Sequence, residues 1–283
     1  MKKNSPTVSV CMPTYNHQEF IAHAIEGVLL QRTAFPIELR IGDDCSTDRT
    51  GEICREYRDR YPDIIKLRLN AKNQGQMMNW VASLRSCKGK YIAMCEGDDL
   101  WIDPFKLQKQ VAILETHPEY SLAFHNAFMI FVDERDRVGA YRIPPQEDFN
   151  TKDLLEYAWF VPTASIVFRR AALPPSFPEW YYDTHQGDYA LLIMLSRSGP
   201  LHLINEFMSV YRIGGESSLT RKVALKFVHY QNKRIRLLEQ LDGYLNNEYT
   251  VEIGKAIREL RSATVRYRIK QALKKVGIDL YKR

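Results

Sequence analysis

Apolar positions in the first third of the chain come as short runs that alternate with longer stretches of helical spacing. Val8-Ser9-Val10-Cys11-Met12-Pro13 alternates β-formers and stops at a proline. Thr14-Tyr15-Asn16 follows as a loop, and Glu19 to Leu30 is amphipathic with a helical period. The unit then repeats. Ile37 to Gly42 reads as a second strand, Asp43-Asp44-Cys45-Ser46-Thr47-Asp48 as its loop and Thr50 to Tyr61 as its helix. Tyr91 to Cys95 is a further apolar run of the kind that buried parallel strands show. Strand, loop and helix in that order predict an α/β fold, a mostly parallel sheet flanked by helices, with ligands held beyond the carboxyl ends of the strands.

The second half is patterned differently. Asp103-Pro104 starts a helix that runs through Leu114, Ser121 to Phe131 is a long apolar strand interrupted by His125 and Asn126, and Asp133 to Pro145 is a polar excursion. Phe160 to Phe168 reads as another strand, and Ala190 to Leu195 as an apolar helix. Beyond a composition shift near Leu219 to Arg221, Val228 to Leu245 and Val251 to Val276 show helical spacing, with Leu237, Leu238, Leu241, Ile257, Leu260, Ile269 and Leu273 as candidate buried positions. The expected partition is a domain over residues 1–220, with halves at 1–115 and 116–220, followed by a basic helical extension over 221–283.

Composition adds two constraints. The 283 residues are 45% hydrophobic and 26% charged, enough for one large α/β core, and no apolar stretch approaches membrane-spanning length without charge, so a cytoplasmic location is expected. The net charge of +6 gathers in the extension, at Arg258, Arg261, Arg266, Arg268, Lys270, Lys274, Lys275, Lys282 and Arg283. That charge fits either a solvated helix packed on the domain or a peripheral contact with the inner face of a membrane. No RNA-binding or helix-turn-helix signature accompanies it, which argues against nucleic acid. The five cysteines are scattered and lack metal spacing, so free thiols are expected.

The sharpest chemical signal is Glu96-Gly97-Asp98-Asp99 at the end of an apolar run. Three carboxylates crowded at a strand end repel one another unless a cation offsets them, and a hard divalent ion, Mg²⁺ or Mn²⁺, with positions open for phosphate oxygens meets that need. The plainer alternative is an acidic turn that caps the next helix. Asp44, on the neighbouring strand end, is placed to accept a hydrogen from a uracil ring, whereas Asp48 reads as a helix cap.

Taken in order, Val8-Ser9-Val10 through Pro13-Thr14-Tyr15-Asn16, then Gly42 to Asp48, then Asn73-Gln74-Gly75 with Asn79, then Glu96-Gly97-Asp98-Asp99, this chain resembles the family 2 glycosyltransferases, inverting enzymes of the GT-A fold. The resemblance covers about residues 8 to 220. It implies a nucleoside diphosphate sugar donor, most simply a UDP-sugar, a glycan or lipid-linked acceptor in surface polysaccharide synthesis, and Mn²⁺ or Mg²⁺ as cofactor. Residues 1–115 would then bind the donor and 116–220 the acceptor. Pro13, Tyr15 and Asp44 would hold the base, with Tyr15 stacking on it. Thr14, Asn16, Asn73, Gly75, Asn79, Glu96, Gly97, Asp98 and Arg212 would complete the nucleotide-sugar site, and Asp98 and Asp99 would hold the metal. Asp188, opening an apolar helix, matches the family's catalytic base; the alternative is a helix N-cap. Three positions depart from the family pattern. Glu96 replaces the first acid of Asp-x-Asp, Gly187 the acid before the base, and Gly214 the loop histidine after Arg212. The run that marks processive synthases is absent, so single-sugar transfer is expected. A sugar nucleotidyltransferase is disfavoured because Val10 to Asn16 holds no glycine or lysine for a triphosphate loop; a catalytically silent carbohydrate-binding module is the rival that the three departures suggest.

Overall fold

A computed structural model describes residues 5–132, 137–214 and 226–275. The first unit is β1 (Val8–Thr14), α1 (Ile21–Leu29), β2 (Ile37–Asp43), α2 (Thr50–Arg60), β3 (Ile65–Leu69), α3 (Gln76–Ser86) and β4 (Tyr91–Met94). All pairings within it are parallel, β1 with β2 and β4, β2 with β3. Every residue of β1 and β4 is buried, which explains why both read as unbroken apolar runs.

The second unit is β5 (Leu100–Trp101), α4 (Lys106–Thr116), β6 (Leu122–Phe131), β7 (Val138–Ala140), β8 (Asp148–Phe149), α5 (Thr151–Tyr157), β9 (Val167–Arg169), α6 (Gly187–Ser196), β10 (Leu201–Ile213), α7 (Phe227–Tyr244) and α8 (Thr250–Lys275). Among the described residues the strands form one ten-stranded sheet in the order β3-β2-β1-β4-β9-β6-β10-β5, with β7 beside β6 and β8 beside β10. β9 runs antiparallel between β4 and β6, and the short strands β5, β7 and β8 also run antiparallel to their partners, so the sheet is mixed, with its long strands parallel. The strand expected over Phe160 to Phe168 is shorter than its composition suggests. Ser165 N–H donates to Pro162 O (2.9 Å) and Ile166 N–H to Thr163 O (3.2 Å), so a 3₁₀ turn takes Thr163–Ser165 and leaves only Val167–Arg169 to pair.

Alternate residues of one strand feed opposite cores. Cys11, Ile92 and Met94 face a cluster with Trp80, Phe124, Phe160, Tyr181 and α6, while Val10, Met12, Tyr91 and Ala93 face one with α1 and α4. Leu237, Leu238 and Leu241 of α7 belong to the first cluster and are at most 3% exposed. α8 continues that packing through Ile253, Ile257 and Leu260. Ile269, expected to be buried, is 53% exposed, because this side of α8 runs on past the core that its first turns cover. Its basic residues Arg258, Arg261, Arg266, Arg268 and Lys270 are exposed. Arg221, Lys282 and Arg283, the side chains of Lys274 and Lys275, and residues 133–136 of the polar excursion lie outside the described residues. The five cysteines are free, as expected.

The packing of α7 yields a stability test. Leu238→Ala is expected to cost about 2–5 kcal/mol in a denaturant melt, the range for a buried leucine. Ile269→Ala should stay within about 0.5 kcal/mol of the parent. Equal effects at the two positions would mean that α7 does not complete the core.

Candidate active site

The strand ends are tied together before any ligand is considered. Asn16, at a positive φ of 54°, accepts the Thr47 amide on Oδ1 (2.8 Å), and its own amide donates to Ser46 Oγ (2.9 Å), joining the loops after β1 and β2. Asp44 is 2% exposed; its carboxylate accepts Asn70 Nδ2 (2.7 Å) and the amides of Gln74 and Gly75 (both 2.9 Å), while Asn73 Nδ2 donates to its carbonyl (3.1 Å). Asn79 is also inward, 3% exposed, donating to Gly42 O (2.7 Å) and accepting from Arg68 Nη2 (2.8 Å). Asp44 and Asn79 therefore shape the loop that enters α3. Tyr15, Asn73 and Gly75 stand exposed on the rim, with Tyr15 at 40%. Arg68 and Asn70, two apart at the end of β3, gave no motif in the sequence; their spacing toward one face was the only available sign.

The acidic turn follows β4. Gly97 N–H donates to Pro13 O (3.1 Å), which fastens the turn to the end of β1. A Cβ at Gly97 would lie 2.3 Å from Thr14 Oγ1 and 2.8 Å from His17 Nδ1, so this close approach requires glycine. Asp99 is 3% exposed and accepts the Glu96 amide (2.8 Å), whereas the Asp98 side chain is 39% exposed and lies 3.8 Å from His17 Nε2. Arg212, leaving β10, donates to Asp98 O (2.6 Å) and stacks over Phe20 at 5.1 Å. Two residues on, Gly214 has a φ of 102°, a conformation that a histidine rarely adopts, so the departure at this position has a backbone reason. Gly215 and the residues through 225 lie outside the described residues.

Electrostatically the turn is short of positive charge. Burial, then the charge of Asp98, pushes Asp99 up to about 8, with Arg212 and Lys106 as partial counterweights. Burial followed by Asp98, Asp99 and Asp188 holds Glu96 well above the usual carboxylate range. Among the described residues no three His, Cys, Asp or Glu side chains converge on a ready-made metal cage. The donor set nonetheless fits a hard divalent ion, being all oxygen, anionic and underneutralised.

Asp188 lies across from this turn, near enough for its charge to act on Glu96. It is the second residue of α6, after Gly187; the N-cap is Gln186, whose side chain makes no capping bond. Asp188 Oδ2 accepts from Thr163 Oγ1 (2.9 Å), a bond that the turn replacing the expected strand makes available. Burial pushes its carboxyl up to about 6 against the opposing pull of Thr163 and the Tyr189 amide. Gly187 is buried, Tyr181 Oη donating to its carbonyl (2.9 Å), and a Cβ there would meet the flexible end of Met77 at 2.3 Å. Tyr141, half-buried, feels the charges of both Asp188 and Asp99 and sits 5.8 Å from the Tyr211 ring. Neither Thr163 nor Tyr141 was singled out by the sequence. Of the aromatics near Asp188 in the chain, Phe160 and Tyr181 are core, while Trp159 and Tyr182 are 37% and 39% exposed.

A mostly parallel sheet with an acidic turn after its fourth strand and a carboxylate facing that turn defines a GT-A type of transferase fold. Solved structures agree. The Staphylococcus aureus TarS 1–349 in complex with UDP-GlcNAc superposes with a TM-score of 0.58 at 18% identity, over 86% of this chain and 74% of that one. The mannosyltransferase PcManGT from Pyrobaculum calidifontis, in complex with GDP-Man and Mn²⁺, gives 0.58 at 17% identity over 97% and 80%. The pattern of glycosyl transferase family 2 matches residues 9–174, and this chain belongs to that family. The UDP-Glc:alpha-D-GlcNAc-diphosphoundecaprenol beta-1,3-glucosyltransferase WfaP of Escherichia coli is 30% identical over 218 residues, 76% of this chain and 80% of WfaP. An uncharacterised Mycobacterium tuberculosis protein is 36% identical over 208 residues; the match spans 72% of this chain and 58% of that relative's length.

Because Asp99, pushed up to about 8, holds its proton above the usual carboxylate range, cation binding at the turn is expected to release a proton near pH 7. Titration calorimetry with Mn²⁺ in two buffers of different ionisation enthalpy checks this. Binding with an enthalpy independent of buffer would show that Asp99 is already ionised.

Proposed function

We propose that the protein is an inverting glycosyltransferase that moves one sugar from a UDP-sugar to a hydroxyl of a lipid-linked glycan acceptor, with Asp188 as the base. The observation that carries this reading is the position of Asp188, beside the acidic turn and with a carboxyl held at about 6 by burial. A base of that strength is ionised at neutral pH yet basic enough to take a hydroxyl proton as the oxygen attacks. The WfaP relative, which acts on a UDP-sugar and a diphosphate-linked acceptor by its name, supports the substrate classes.

In this reading Tyr15 stacks on the nucleotide base, and the loops pinned by Asp44 and Asn16 form its rim. Asp98 and Asp99 would hold Mn²⁺ or Mg²⁺, with Glu96 and Arg212 bordering the same turn. Bound there, the ion supplies positive charge against the diphosphate and the turn's carboxylates. Arg212 offsets diphosphate charge from the β10 side, and Thr163 orients the Asp188 carboxyl. Tyr141 and Tyr211 border the acceptor. Attack comes from the face opposite the diphosphate, so the anomeric configuration inverts without a covalent enzyme intermediate. Among the described residues no helix is long and apolar enough to cross a membrane. The exposed basic residues of α8 are the proposed peripheral contact with an anionic membrane surface.

Asp188→Asn separates chemistry from structure. Asparagine keeps the bond from Thr163 and loses the base, so transfer should fall roughly 10²–10⁴-fold with UDP affinity little changed. Stability should not fall. The folded carboxyl keeps its proton up to about 6, against 3.8 for the ordinary value, so this group costs stability as pH rises through that window, and the neutral variant escapes the cost. Near-normal transfer by the variant would place the base elsewhere; Glu179 and Asp183 are the nearby alternatives, both exposed.

The same assignment fixes a pH profile. Log kcat/KM for the acceptor should rise with unit slope below about pH 6 and level off above it, because only the carboxylate form of Asp188 accepts a proton. A profile flat from pH 5 to pH 8 would remove Asp188 from the rate-limiting proton transfer.

A further inference from the structure

Asp188 is flanked on both sides along the chain by contacts to a basic cluster that the chemistry so far does not use. On its amino side, the His185 ring lies 4.9 Å from the Tyr230 ring of α7. On its carboxyl side, the Tyr189 ring lies 5.7 Å beneath the Arg234 guanidinium. His229 and Lys233 are one helical turn apart on α7, as are Tyr230 and Arg234, so the helix offers one continuous face to this spot. Lys233, Arg234 and His229 all act on His185 as positive charges, and no acid does. Among the described residues none of these three forms an ion pair with a carboxylate.

Three polar atoms here are buried and lack any hydrogen-bond partner among the described residues: His185 Nδ1, Gln186 Oε1 and Arg234 Nε. Buried donors and acceptors are ordinarily satisfied, and leaving one unpaired carries a desolvation cost. Two of these orphans, His185 Nδ1 and Arg234 Nε, can donate, and with the uncompensated cations around them they describe a site for an anion with several acceptor oxygens. The side-chain amide of Gln186 can turn its NH₂ toward such a group. A carboxylate offers two oxygens and one charge; a phosphate or diphosphate offers more of both and suits a guanidinium, an ammonium and an imidazole together.

We infer that His185, Gln186, Lys233 and Arg234 form the subsite for a phosphate or diphosphate group on the acceptor, lying next to the sugar whose hydroxyl faces Asp188. The inference rests on the acceptor reading proposed above, and it adds what that reading lacks, a means by which the enzyme tells a phosphate-linked sugar from a free glycan. His185 and Gln186 lie three and two residues before the base, and Arg234 stacks on Tyr189, the residue after it, so the cluster borders the base on both sides along the chain.

The test has a binding arm and a kinetic arm. Inorganic pyrophosphate is titrated into the full chain in the presence of chelator, where the uncompensated acidic turn repels it and leaves the basic cluster to bind it. Lys233→Gln and Arg234→Gln should each weaken that binding about tenfold, and wild-type affinity in both variants would overturn the proposal. Arg234 also packs on Tyr189, so thermal melts accompany both variants, and if Arg234→Gln unfolds, Lys233→Gln decides alone. In the kinetic arm two soluble acceptors with the same sugar and a short alkyl chain are compared without vesicles, one linked through diphosphate and one a plain glycoside. The preference in kcat/KM for the diphosphate acceptor should drop about tenfold in the variants, through KM rather than kcat. An equal loss on both acceptors would overturn the subsite, and because no lipid surface is present, a retained effect excludes a headgroup as its source. If no acceptor is glycosylated at all, the functional reading fails while the pyrophosphate titration still decides the anion site.

Discussion

Mutual repulsion among carboxylates is the constraint around which this sheet edge is organised. The charges of Asp98, Asp99 and Asp188 all bear on Glu96, and that of Asp98 on Asp99, and the fold must hold them together before any cation arrives. It does so with backbone. Asp99 turns inward onto the Glu96 amide, Gly97 hooks the turn to Pro13, and Arg212 grips the Asp98 carbonyl from a strand at the far side of the sheet. Each bond fixes the turn through a main-chain group, which leaves the Asp98 carboxylate open. The energetic tension is therefore kept in the side chains, where a ligand can relieve it, and not in the chain path.

The same arrangement explains which parts of the site were legible in the sequence. β1, β2 and β4 announced themselves because buried parallel strands are apolar throughout, and the acidic turn because three acids crowded at the end of such a strand repel one another unless a cation offsets them. Asp188 was visible as an acid opening an apolar helix. What the sequence could not convey was orientation. Asp44 and Asn79 stand at the expected edge, yet their side chains are occupied in holding the loop before α3. Thr163, Arg68 and Tyr141 carry no motif, since each matters only through a partner distant in sequence. The strand expected after Phe160 gave way to a turn closed by the Pro162 carbonyl, and that local break delivers Thr163 to Asp188.

The departures from the family pattern become coherent when their surroundings are considered. At Gly187 the space a side chain would enter is filled by Met77, and the glycine carbonyl is taken by Tyr181. At Gly214 the backbone turns through a region that disfavours side chains. Glu96 keeps the acid and gives its amide to Asp99. These are exchanges of packing and backbone geometry that leave Asp188 and the acidic turn facing each other.

α6 is buried almost all the way round, from Tyr189 through Leu195, so the residue at its second position stands on a post that the core does not let move. The chain neighbours of Asp188, His185 and Tyr189, meet a different segment, packing against Tyr230 and Arg234 of α7. In the proposed reading, reaction and recognition are thus mounted on separate parts of the molecule. With the roles proposed above, a lineage that inherits this architecture could exchange the residues of α7 for others, and so acquire new acceptors, without disturbing the carboxylate assigned as the base. The fixed helix makes specificity an evolvable trait.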